Sequence, residues 1–144
     1  MLSKSDIEKL IPHAGAMCLL DSVLEWDAIR IRCSSRTHRD AGNPLRTDGA
    51  LPAVCGIEYA AQAMAVHGGL SGAIAGKPRT GYLASLRDVK CSEDLLDRPV
   101  GDLVVEAERL MGDEARVIYR FSLKVGATEM LSGRATVVLD AGAT

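Results

Sequence analysis

Two side chains stand out for the chemistry that their types and spacing allow. Glu58 is the only formally charged residue between Gly49 and Gly76, in the run GALPAVCGIEYAAQAMAVHGGLSGAIAG, and Gln62 follows it by four residues. An ionised carboxylate among small apolar residues is costly unless a cation or hydrogen bonds compensate it, so such a residue points to a use. On a helix, positions i and i+4 share a face, which lets the Gln62 amide orient the Glu58 carboxylate. A carboxyl group held in this way can protonate a leaving hydroxyl and manage the water released. The plainer reading of Glu58 is a carboxylate that reaches solvent or meets an arginine such as Arg46 or Arg87.

The residues just before Glu58 offer a second element of chemistry. Pro52 suits the first turn of a helix, where its missing N–H costs nothing. The first-turn amides around Ala53, Val54 and Cys55 then lie at the positive end of the helix dipole, able to hold a thioester oxygen as negative charge develops on it. Cys55 itself lacks a nearby cue for a paired base and reads as a small buried thiol. The three histidines, His13, His38 and His67, are scattered singly. His38, in RTHRD ahead of the loop that leads into the helix, is the first candidate for a base. His67, near the helix C-terminus where a cation favours the dipole, reads as structural.

The elements that must position these groups follow from periodicity. Ser3 or Ser5 caps a short helix over residues 6–10, and Pro12 stops it. Residues 17–25 (MCLLDSVLE) read as a strand, and residues 28–35 alternate Ile29, Ile31 and Cys33 against Arg30, Arg32 and Ser34, a half-buried strand. Residues 38–49 form a loop rich in Asp, Gly, Asn and Pro. The helix from Pro52 runs to about Gly68, or beyond it with a break at Gly68-Gly69. Its apolar residues surround the wheel, as in a helix enclosed by another element. Strand-like runs follow at 82–89, 103–110, 116–125 and 131–139, with hairpin turns at Gly112-Asp113 and Gly126-Ala127. One curved antiparallel sheet wrapped around a single long central helix satisfies this order, an α+β solution in one domain over residues 1–144.

Composition excludes several functions. Net charge is −2 with no basic run, which argues against nucleic acid as a partner, and 3% aromatic content leaves few stacking platforms. The start, MLSKSDIEKLIPH, has acidic residues and no continuous apolar run, unlike a secretory signal. The Gly- and Ala-rich stretch around Glu58, Gln62 and His67 suits a buried helix better than a membrane span. Cys18, Cys33, Cys55 and Cys91 form no CxxC pair and show no metal-ligand spacing, so reduced thiols in a cytoplasmic protein without a metal are expected.

The quoted motifs carry a resemblance. IPHAGAMCLLDSVLEW resembles the opening of hot-dog-fold 3-hydroxyacyl-acyl-carrier-protein dehydratases, a Leu/Ile-Pro-His, a short turn and an apolar strand ending in Asp. GIEYAAQAMA is similar to that family's central-helix signature, with Glu58 and Gln62 in the places of its Glu and Gln. RPVGDLVVEAE resembles its Pro-Gly-Asp turn into a long strand, with Val100 inserted between Pro99 and Gly101. NPLR before the helix and YLASLRDV after it look closest to the dehydratase-like proteins of aryl-polyene and polyketide-type gene clusters.

The resemblance implies dehydration of 3-hydroxyacyl groups on an acyl carrier protein to trans-2-enoyl thioesters. Glu58 would handle the hydroxyl, and no cofactor would be needed beyond the carrier's own phosphopantetheine. It also implies a homodimer, or a heterodimer with another hot-dog subunit. Arg36, Arg39, Arg46, Arg87 and Arg98 could steer an acidic carrier. His13 would fix a turn at the entrance to the first strand. One departure matters. The family's catalytic His sits in a Gly-His-Phe-Pro loop before the helix, where this chain has NPLRTDGALPA, so that His has no matching position. Two alternatives therefore stand beside the dehydratase: an acyl thioesterase on the same fold, and a catalytically weak subunit stabilising an active dehydratase.

Overall fold

The computed structural model describes residues 1–11, 15–74, 81–113 and 115–139. Seven strands form one antiparallel sheet: β1 (Leu2–Ser3), β2 (Ser22–Trp26), β3 (Arg30–Ser35), β4 (Gly81–Cys91), β5 (Leu103–Gly112), β6 (Arg116–Val125) and β7 (Thr128–Leu139). Their spatial order is β1-β2-β3-β5-β6-β7-β4. A short helix, α1 (Lys4–Glu8), follows β1, and the long helix α2 (Gly56–Ile74) packs against β3, β5 and β6.

Period-two alternation explains which face is which. Ile31 and Cys33 of β3, Leu103 and Val105 of β5, Phe121 and Leu123 of β6, and Leu131 and Ala135 of β7 point inward and are buried. Helix α2 adds Tyr59, Ala60, Ala63, Met64 and Val66 to the same core. Close approach at the start of α2 requires Gly56, because a Cβ there would lie 2.8 Å from side-chain carbons of both Leu123 and Leu131.

Several elements differ from the sequence expectation. Ser3 is the cap of α1, in a capping box with Asp6, and the helix spans Lys4–Glu8 rather than 6–10. The strand expected at 17–25 is β2 and begins only at Ser22. Residues 17–19 carry a strand-like pattern, but side chains take their backbone groups: Gln62 bonds to Met17 and Leu19, and Ser35 and Thr37 bond to the Leu19 carbonyl. Helix α2 passes Gly68-Gly69 without a break. It is not fully enclosed either, since Glu58, Ala61, Ala65 and Gly68 form a half-buried stripe along one side.

The described stretch of β4 is exposed along its length and is one edge of the sheet. The expected strand at 116–125 is present, and Gly126-Ala127 turns between β6 and β7. The β5–β6 pair shifts register between Arg109 and Met111, and β6–β7 between Leu123 and Lys124, while Gly112 belongs to β5, opposite Val117.

His67 ties three parts together. Its Nε2–H donates to the Asp27 carbonyl at 2.8 Å, so Nδ1 must accept from the Tyr119 hydroxyl at 2.7 Å. The Tyr119 phenol, pushed up to about 12 by burial, stays a donor. The structural reading of His67 holds, but its charge does not help the helix dipole: burial lowers its pKa and keeps it neutral.

Above the ordinary value of 6.5 the ring is neutral folded or unfolded, and its stabilisation is present in full. As pH falls past that value, the unfolded chain binds a proton that the native ring resists, so stability declines. Urea unfolding at pH 7.5 and 5.5 should show this decline, with a smaller difference in His67→Gln. Tyr119→Phe leaves Nδ1 without its donor and should cost about 1–3 kcal/mol at neutral pH.

Candidate functional site

The chain approaches α2 along a strap formed by residues 92–97. Pro52 and Leu95 form a β-bridge, the Ala53 amide donates to the Asp94 carbonyl at 2.8 Å, and the Leu96 amide donates to Leu51. A 3-10 turn, Ala53–Cys55, then leads into α2, and within it the Cys55 amide donates to the Pro52 carbonyl at 3.0 Å. Two of the three amides expected to be available are thus engaged. Val54 is the exception: its N–H makes no hydrogen bond among the described residues, and its side chain is exposed. The Cys55 thiol lies near the Leu45 carbonyl, and partial burial raises its pKa, so it stays a thiol.

Glu58 sits half-buried in the first turn of α2, one helical turn from Val54, on the stripe that continues through Ala61, Ala65 and Gly68. Gln62 is buried, and its amide bridges outward from the helix, accepting from the Leu19 amide at 2.9 Å and donating to the Met17 carbonyl at 2.8 Å. These bonds draw residues 17–19 against the first turns of α2. The segment upstream of them contains His13, which lies outside the described residues.

Tyr59 is a functional neighbour that sequence reasoning passed over, because it counted as one more apolar residue in the helix. Its hydroxyl meets Thr37 Oγ1 at 2.8 Å and accepts from Asn43 Nδ2 at 2.9 Å, and Asn43 also binds the Thr37 carbonyl. The loop between β3 and α2 is thereby fastened to the helix turn that bears Glu58. The signal available in the sequence was a hydroxyl-bearing aromatic directly beside the lone carboxylate.

Arg46 fastens the same loop from within. Its guanidinium donates to the carbonyls of His38, Asp40 and Gly49 and to Asp97 Oδ2 at 2.8 Å. Burial works to raise the Asp97 pKa, but the Arg46 hydrogen bond and charge outweigh it and hold the carboxyl below its ordinary range. Arg46 is therefore neither a partner of Glu58 nor an outward-facing steering residue. Arg36 lies beside Asp102 at 3.3 Å on the surface.

His38 lies in a 3-10 turn, Thr37–Arg39, after β3, and is completely buried. Its Nε2–H donates to the Gly101 carbonyl at 3.0 Å, in the Pro-Val-Gly-Asp turn before β5. Gly101 has φ +138°, a conformation that glycine adopts most readily. The other ring nitrogen, Nδ1, is buried with no hydrogen-bond partner among the described residues, and burial lowers the ring's pKa. Among the described residues no cluster of His, Cys, Asp or Glu could hold a metal ion.

Removing the clamp should loosen the approach to the site. Arg46→Ala leaves Asp97 and three carbonyls without their donor and should destabilise the fold by on the order of 3 kcal/mol in urea unfolding. Arg46→Lys should recover only part of this, since an ammonium cannot reproduce the fork of contacts.

Comparison with known proteins bears on this arrangement. A family model described as ApeP-like, ApeP dehydratase, matches residues 5–142. No curated protein matches the chain. Among solved structures, the dehydratase heterocomplex ApeI:P from Xenorhabdus doucetiae is similar at TM-score 0.82, with 22% identity over 94% of this chain and 91% of that one. A thioesterase from Haemophilus influenzae reaches 0.64, with 12% identity over 97% of this chain and 92% of that one. A hypothetical thioesterase of Streptococcus pneumoniae, solved with coenzyme A, reaches 0.56, with 9% identity over 83% and 84%. At these identities the structural likenesses bear on the fold alone. The family match over nearly all of the chain, joined to a sheet wrapped on one helix that carries a carboxylate in its first turn, shows that the chain has the hot-dog fold and belongs to the ApeP-like dehydratases.

Proposed function

We propose that the chain dehydrates 3-hydroxyacyl thioesters carried on an acyl carrier protein, in the assembly of polyene or related polyketide-type chains. The observation that carries this reading is the placement of Glu58 on the half-buried stripe of α2, one turn beyond the Val54 N–H, which makes no hydrogen bond among the described residues. A thioester oxygen near Val54 gains a donor as the α-proton leaves and negative charge grows on it. Glu58 gives a proton to the departing C3 hydroxyl, water leaves, and the C2–C3 double bond forms. Gln62 holds residues 17 and 19 against the first turns of the same helix.

The base is assigned to His38. In support of this, its Nε2–H bond to Gly101 fixes the tautomer with Nδ1 unprotonated, the form that a base requires. Its complete burial means that substrate reaches it only through rearrangement of the turn around it.

The chain is proposed to work beside a second hot-dog subunit, as in the heterocomplex named above, and to be cytoplasmic. The second point is supported by four cysteines that are all free; among the described residues no helix is long and apolar enough to cross a membrane.

The test incubates the purified chain, alone and with a second hot-dog subunit, with 3-hydroxyacyl carrier protein and follows the acyl mass. Loss of water supports dehydration, whereas release of the carrier thiol means hydrolysis and a thioesterase. Glu58→Ala should lower turnover at least 100-fold with the unfolding midpoint little changed, and wild-type turnover would remove Glu58 from the chemistry. His38→Ala should lose a similar factor with KM unmoved. If it keeps its rate and loses only stability, its work is to hold Gly101, and the same assay on His13→Ala then tests the segment outside the described residues.

A further inference from the structure

Four side chains form one hydrogen-bonded network against the turn of α2 that carries Glu58. The Asn43 amide uses both of its Nδ2 protons, one on the Thr37 carbonyl at 2.8 Å and one on the Tyr59 hydroxyl at 2.9 Å. The Tyr59 hydroxyl lies 2.8 Å from Thr37 Oγ1, which donates to the Leu19 carbonyl at 2.7 Å. Ser35 Oγ donates to the same carbonyl at 2.6 Å. The Asn43 side-chain oxygen accepts from the Leu45 amide at 2.8 Å, so its orientation is fixed as well.

Counting protons gives the network a direction. A hydroxyl has one proton to donate, and Thr37 and Ser35 each direct theirs at the Leu19 carbonyl. The Tyr59 O–H therefore donates to Thr37, and the bonds run from Asn43 to Tyr59 to Thr37 to Leu19. Burial raises the pKa of the Tyr59 phenol, so it keeps the proton that it donates. In such a run each member polarises the next, and the set is stronger than its bonds taken singly. Tyr59 and Asn43 are both buried, where a lost partner is costly.

The places of these residues along the chain link the network to the chemistry. Thr37 immediately precedes His38, and Tyr59 immediately follows Glu58. The Tyr59–Thr37 bond thus joins the turn that bears the proposed base to the turn that bears the proposed acid. The His38 ring points elsewhere, to the Gly101 carbonyl, and Glu58 stands on the half-buried stripe. Substitutions at Tyr59 or Thr37 therefore leave both reacting groups in place chemically.

We propose that Tyr59 and Thr37 are positioning residues for the dehydration, their hydroxyl pair setting the separation between the turn of His38 and the turn of Glu58, with Asn43 holding that pair. Misplacing reacting groups by 1 Å can cost on the order of 100-fold in rate. This rests on the reading above, with Glu58 as acid and His38 as base, and adds the residues that set their spacing.

The test measures steady-state dehydration of 3-hydroxyacyl carrier protein by variants of the full chain, alone and with a second hot-dog subunit. Tyr59→Phe and Thr37→Val remove one hydroxyl each and should each lower kcat about tenfold with KM unmoved. Both break the same link, so the double variant should be little slower than either single one. Thr37→Ser retains the hydroxyl and should recover most of the rate lost in Thr37→Val. Urea unfolding establishes which variants are folded under assay conditions; if Tyr59→Phe is not, the Thr37→Val and Thr37→Ser comparison decides alone. A folded Thr37→Val with wild-type kcat, or losses that multiply in the double variant, overturns the proposal and leaves the network a role in stability only. If Glu58→Ala and His38→Ala still lose turnover in that case, the dehydratase reading stands. Wild-type turnover in His38→Ala also overturns the proposal, since the turn then carries no base. Wild-type turnover in Glu58→Ala, or no dehydration by the wild-type chain in either setting, overturns the dehydratase reading with it.

Discussion

Three fully buried side chains of helix α2 with polar groups, Tyr59, Gln62 and His67, find partners inside the sheet, and the arrangement of the molecule depends on those bonds. A buried polar group without a partner costs a large part of a small protein's stability. Tyr59 meets Thr37 and Asn43, Gln62 meets Met17 and Leu19, and His67 meets Asp27 and Tyr119. Each set of partners belongs to a different stretch of backbone. Together they fix the rotation of the helix about its axis as well as its position along it. Apolar packing alone would specify this less sharply, since alanines on one side of a helix resemble alanines on another.

That fixed rotation determines what remains uncovered. With Tyr59, Gln62 and His67 turned inward, Glu58, Ala61, Ala65 and Gly68 fall on the half-buried stripe. The carboxylate therefore lies on that stripe, in the first turn and one helical turn from Val54. The surrounding loops serve the same arrangement. Arg46 gathers three carbonyls and Asp97 beneath the approach to α2, while the strap at 92–97 takes the amide of Ala53. His38 joins the turn after β3 to the turn before β5, so the end of the β3–β5 pair at Ser35 and Leu103 is tied.

The outer face follows a different rule. No core packing constrains it, so its residues report on solvent or on partners. On the β3 and β5 side the charges alternate and pair, and toward β4 they do not.

Much of this was legible in the sequence. Alternation in residues 116–125 placed a strand at its observed bounds, and the lone charge in a small-residue run marked Glu58. The order of elements and the quoted motifs indicated a sheet around one helix, because period-two and helical patterns are properties of neighbours along the chain. Tertiary structure decided what distant segments exchange. The strand-like pattern at 17–19 became the end of a 3-10 turn and irregular backbone, with Gln62, Ser35 and Thr37 supplying hydrogen bonds from afar. The expected donors at Ala53 and Cys55 were taken by Asp94 and Pro52, leaving Val54, and Arg46 turned inward to Asp97. A sequence determines which groups need partners; only the folded chain decides which partners lie within a hydrogen bond's reach.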